Sequence, residues 1–170
     1  MLSTMVAWAA ILLFSGAMVY AGVKDVTTMT ISNRLVLLLA VSYFVLAPAA
    51  GISFNIILAS MVVAAVAFLV TFSLFACGWI GGGDAKLIPV VMLWLGHNLA
   101  FDFALYASGA GAVLTLTILQ LRNLPLPVRL QRAEWSRRLH RRDIGIPYGL
   151  ALALAALWLL PDSHWHAVLS

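Results

Sequence analysis

"FACGWIGGGDAKLIPV", Phe75–Val90, places three consecutive glycines, Gly81–Gly83, directly before Asp84 and between two strongly apolar runs. A carboxylate at the edge of an apolar segment is costly unless water or a partner holds it. What the flanking runs are therefore decides how the stretch is read.

The whole chain answers that. Its 170 residues are 64% apolar and only 9% charged, with a mean hydropathy of +1.03. A soluble domain carries about 25% charged residues, and this chain has too few to cover the outside of a soluble bundle. The apolar runs reach or approach the ~20 residues that cross a bilayer. Backbone in lipid must satisfy its own hydrogen bonds, so each run is expected to be helical. We therefore expect an all-α, polytopic membrane bundle forming one domain over residues 1–170. About six spans are expected: Met5–Val23, Leu35–Ala50, Asn55–Trp79, Asp84–Leu95, Ala100–Leu121 and Ile144–Leu160.

Charge sets the expected orientation. All ten Lys and Arg fall after the first, third and fifth runs: Lys24 and Arg34, Lys86, and the loop of about 122–143. With six spans these segments share one side, which the positive-inside rule makes cytoplasmic, leaving both termini outside. The first run has no Lys or Arg before Lys24, so it reads as an anchor and not as a cleaved leader. The single Cys77 excludes an internal disulfide and any CxxC zinc module. Within the third run it reads as a small buried filler.

Ionisable groups at a membrane default to a functional hypothesis. Of the six acidic residues, Asp162 falls in the expected outer tail and Glu134 among arginines, as their ion-pair partner. Asp102 opens the fifth run, where a helix N-terminus favours it. Asp25 and Asp84 are left at the expected cytoplasmic ends of spans. The fourth run, Asp84 to about Leu95, would measure only ~18 Å at ~1.5 Å per residue, against a hydrocarbon core of ~30 Å. Irregular backbone over Gly78–Gly83 would make up the difference, dipping below the surface into a hydrated cavity that admits an extended peptide. A tight turn with Asp84 as N-cap fits the spacing equally well. Asp25, in "YAGVKDVTTMTISNRL", reads either as a loop carboxylate paired with Lys24 or Arg34, or as the partner of Asp84. Two carboxylates held close cannot both stay ionised, and such a pair shares a proton. One member can then activate water while the other supports the oxyanion of a peptide carbonyl, with neither metal nor cofactor.

"GGGDAKL", Gly81–Leu87, resembles the GxGD signature of intramembrane aspartic peptidases, with Gly81, Gly83 and Asp84 in the motif positions. Presenilins and signal peptide peptidases share GxGD, but in them the first aspartate follows a tyrosine, and here Lys24 precedes Asp25. The following "AKL", an aspartate after the first span and the short chain resemble the type IV prepilin peptidases, in particular the small CpaA/TadV type that processes Flp pilins. Asp25 followed by Ile31-Ser32-Asn33 is similar to that family's D…IPN, with Ser32 in place of proline. "GIPYG", Gly145–Gly149, resembles its entry to the last span. The resemblance implies Asp25 and Asp84 as the catalytic pair, with Gly81, Gly82 and Gly83 as backbone of the cleft. It implies a Flp-type prepilin whose short basic leader is cut after a glycine, just before its hydrophobic helix, on the cytoplasmic side of the bacterial inner membrane. With one cysteine and no room for a cysteine-rich insert, N-methylation is not expected. Lys86 and Asp143, the latter at the cytoplasmic start of the sixth run, are carried as neighbours of the site.

The basic loop "RNLPLPVRLQRAEWSRRLHRRD", Arg122–Asp143, holds seven Arg. A helix from Val128 would put Val128, Trp135 and Leu139 on one face and rest on anionic lipid. Membrane anchoring is expected of it, not nucleic-acid binding. His97 reads as a turn residue, and His164 and His166 as part of an unstructured outer tail. The rival to the peptidase is a small transporter or pilus-assembly scaffold, but a transporter would place its charges near the midplane and show a repeat.

Overall fold

The computed structural model describes residues 1–127 and 131–169 of the chain. Each of the six expected runs is helical: α1 Leu2–Thr28, α2 Asn33–Ala49, α3 Phe54–Ala76, α4 Gly82–Leu95, α5 Ala100–Leu121 and, after a short α6 Glu134–His140, α7 Tyr148–Leu159. A last turn, α8, covers His164–Ala167, and no strand occurs among the described residues. Three helices are long and apolar enough to cross a membrane, α1, α3 and the segment His97–Leu121 ending in α5. Helix α2 is a shorter apolar helix, and α4 and α7, of 14 and 12 residues, are shorter still.

Small residues bring the helices together. Along α1 the buried positions are Ala7, Ala10, Ile11, Phe14, Ala17, Met18, Ala21, Gly22 and Asp25. That 3–4 spacing is one continuous helix face. In lipid, helices associate through close packing and not through expulsion of water, so small side chains mark the contact. The α1 stripe meets an alanine-rich α7: a Cβ on Gly22 would stand 3.4 Å from Ala153 Cβ. Asp25 is the last position of the same stripe, so the helical phase that packs α1 also turns this carboxylate inward.

Helix α4 is the centre of the bundle. Leu87, Val91 and Trp94 are fully buried, and α4 packs on α3, α2 and α7. Trp94 stacks on Phe14 at 5.0 Å and on Trp165 at 5.0 Å, and donates from Nε1 to Leu39 O at 2.9 Å. Pro89 lies inside α4 and has no N–H to offer the carbonyl of Ala85, four residues back. The hydroxyl of Thr71, on α3, lies 2.9 Å from that carbonyl and 2.8 Å from Ala67 O of its own helix, so its one proton is shared between the two. Thr71 thus offers a shared donor to the carbonyl that proline leaves open beside Asp84. Thr71→Val is expected to lower the thermal unfolding midpoint of the detergent-purified protein, a loss of about 1 kcal/mol.

The structure corrects three expectations. The irregular stretch is shorter than Gly78–Gly83: Gly81 is the N-cap of α4, and Gly82, Gly83 and Asp84 form its first turn. Gly78, at φ +75°, ends α3 in the left-handed region while the N–H of Trp79 donates to Leu74 O at 2.9 Å, a glycine C-cap. Cys77 is exposed at this cap and is not a buried filler. The carboxy-terminal segment is ordered, because Trp165 is fully buried and donates from Nε1 to Trp94 O, closing the end of α4 at 2.9 Å. Burial, with His97 nearby, holds the His164 imidazole down to about 4, so it is neutral at pH 7.

Candidate active site

Five chain segments converge at the amino ends of α4 and α7. Asp25 comes in on α1, 6% exposed, and its Oδ2 accepts the N–H of Gly149 at 2.7 Å. Gly149 lies in the first turn of α7, where unpaired N–H groups and the positive end of the helix dipole favour an anion. Asp84 stands in the first turn of α4, half-buried. Its carboxylate has no hydrogen-bond partner among the described residues and repels that of Asp25. Both line one cleft of about 630 Å³, together with Met29, Trp79, Gly81–Gly83 and the segment Ile144–Ile146. One carboxylate is therefore held by a backbone donor, and the other is left open to whatever enters.

The spacing between these segments is set by residues without side chains. Ile31, 6% exposed, wedges between the two helix starts. A Cβ on Gly83 would stand 3.3 Å from Ile31 Cβ, and one on Gly149 would stand 2.9 Å from Ile31 Cδ1 and 2.7 Å from Asp25 Oδ2. A Cβ on Gly82 would come to 3.0 Å from the ring of Phe75. Met29, at φ 55°, ends α1, and Ser32 then starts α2 by accepting the N–H of Arg34 at 3.2 Å. The serine in "TISN" thus has a capping role of its own.

The remaining sequence candidates lie around the cleft. Lys86, two residues beyond Asp84, turns to α2 and donates to Asn33 Oδ1. It lies outside the cleft lining and pairs with neither aspartate. Asp143 is exposed and ion-paired with Arg141, whose guanidinium holds its carboxyl below the usual carboxylate range. It too lies outside the lining, although Ile144, Gly145 and Ile146 after it belong to it. Glu134 pairs with Arg138 at 3.4 Å. Val128 lies outside the described residues, and on α6 Ser136 is buried while Trp135 is 40% exposed.

The arginines of the loop also do structural work that its composition does not reveal. Arg122 donates to Leu139 O and Ile144 O, each at 2.8 Å, and to Gly145 O at 3.1 Å. Arg138 reaches Thr27 O, at the end of α1, at 3.1 Å. The loop is thereby strapped to the cleft rim. In the sequence Gly149 is marked only as part of "GIPYG", and its N–H contact with Asp25 has no signal there beyond the glycine itself.

Comparison with known proteins gives a family. The model of the type IV leader peptidase family matches residues 12–116, more than half of the chain and including both Asp25 and Asp84. The chain belongs to that family. No curated protein and no solved structure matches it.

Proposed function

With membership of the type IV leader peptidase family as premise, we propose that this chain is an aspartic endopeptidase that removes the leader of prepilins, with Asp25 and Asp84 as its catalytic pair. The family makes it a peptidase for prepilin-type substrates. The observation that supports the finer reading is that both carboxylates, distant in sequence, line one cleft with the glycines before Asp84. Like charges at close range favour one shared proton. The ionised carboxylate takes a proton from water as the oxygen attacks the peptide carbonyl. The protonated one donates to the developing oxyanion, and the proton taken from water then passes to the leaving amine.

The reading extends to orientation. The cleft lies at the helix ends that carry Lys24, Arg34, Lys86, Arg122 and the α6 arginines. The positive-inside rule puts that end in the cytoplasm, at the inner membrane, with six spans and both termini outside. Short α4 and α7 span as part of the packed interior, where flanking helices shield them from lipid. The basic rim rests on anionic headgroups. We assign a Flp-type prepilin as substrate and no N-methyltransferase activity.

The test is co-production with a candidate Flp-type prepilin in cells lacking other prepilin peptidases. Leader removal is scored by the electrophoretic shift and the new amino terminus is sequenced. Absence of any cleavage across such substrates would overturn the assignment.

A further inference from the structure

A second, apolar cavity of about 550 Å³ lies beside the cleft, between α3, α4 and α5. Val66 and Val70 of α3, Ile88 and Met92 of α4, and Ala104 and Ala107 of α5 form its walls. Helix α3 leans mainly on α4, and α5 mainly on α7, so the two flank a gap in the bundle. Most of the apolar length of each stays exposed. The groove does not end blindly. Ile80, Ile88, Tyr148 and Leu152 line both it and the cleft of Asp25 and Asp84.

We propose that this groove is the docking site for the apolar helix of the substrate, seated between α3 and α5 with its amino end at the cleft. This rests on the peptidase reading above and names the part of the substrate that the enzyme holds. Three features fit that occupant, and the last sets it apart from a lipid chain. The groove is apolar along its walls, as a helix from the bilayer requires. Its small residues, Ala104, Ala107 and Ser108, let a helix approach closely. Among the described residues it joins, through Ile80, Ile88, Tyr148 and Leu152, the cleft that holds a pair of carboxylates, which match the positive end of a helix dipole, about half an elementary charge. A helix so placed feeds the extended residues before it across Ile80 and Tyr148 to Asp84. A lipid chain gains nothing from that continuity.

The experiment uses the full chain in membranes, co-produced with a prepilin carrying its leader, scissile junction and apolar helix. A photo-crosslinking p-benzoyl-phenylalanine is placed at Val66, at Ala104 or, as control, at Val41, which is exposed on α2 and outside the groove. Adducts to the prepilin's apolar helix are expected from Val66 and Ala104 and not from Val41. Filling the groove with Val66→Trp or Ala104→Trp, both at exposed positions, is expected to slow processing at least about tenfold. Val41→Trp should stay within about twofold of the parent. Adducts only to lipid or to a second copy, or undiminished processing with the groove filled, would overturn the docking site. Failure of the parent chain to process, or normal processing by Asp84→Ala, would instead strike the peptidase reading, because the crosslink is scored independently of cleavage.

Discussion

Asp84→Ala is expected to abolish prepilin processing, and Asp25→Ala to do the same, each with a loss of at least about 10³-fold. Neither should change the amount of protein in the membrane. The reason for equal severity is chemical. A shared-proton pair works as a unit, so removing either member removes both the base for water and the acid for the oxyanion. The two changes differ structurally. Asp25 is buried against the N–H of Gly149, and its loss leaves that donor without a partner. Asp84 has no such bond to lose. Asp25→Asn and Asp84→Asn keep the shape of each side chain and remove its charge, and both should be inactive. Asp102→Ala and Asp162→Ala lie away from the cleft lining and should process normally. Normal processing by Asp84→Ala would end the aspartic mechanism for this chain.

Gly149→Ala is expected to cost about 10²-fold in processing rate, the penalty of moving a catalytic group by the order of an ångström. The substitution keeps the backbone N–H that Asp25 accepts. Its Cβ, however, would stand 2.7 Å from the carboxylate oxygen and 2.9 Å from Ile31 Cδ1, distances that force one or both aside. Ile31 also touches Gly83 in the first turn of α4, so the displacement reaches the Asp84 helix as well. Gly109→Ala is the control. It sits in α5, nothing lies within 4 Å of its added Cβ, and alanine is the better helix former. Processing should be unchanged there. Parity between the two alanine variants would mean that Gly149 does not set the position of Asp25.

Much of this was legible beforehand, for identifiable reasons. The helical runs were legible because lipid leaves the backbone no alternative. Asp25 was more legible than its loop setting suggested, since Ala10, Ala17, Ala21 and Gly22 already define a helix face on which it is the next position. Asp84 was marked by the glycines before it, although two of them turned out to be helical. Lys86 and Asp143 were less legible. Nearness along the chain says nothing about direction, and their partners, Asn33 and Arg141, take them out of the cleft lining. The ordered segment around Trp165 depends on that residue finding Trp94, a contact between distant segments.

By itself, then, the sequence determined the membrane class, the helical runs, the family motif and which carboxylates deserved suspicion. All of these are written in local composition and in the 3.6-residue period. Only the tertiary structure decided that Asp25 is held by the start of α7, that Thr71 offers a shared donor to the carbonyl left open beside Asp84, and that an apolar groove opens onto the same cleft. Those facts depend on which helices touch, and helix contacts in lipid are chosen by shape and by single hydrogen bonds between distant segments.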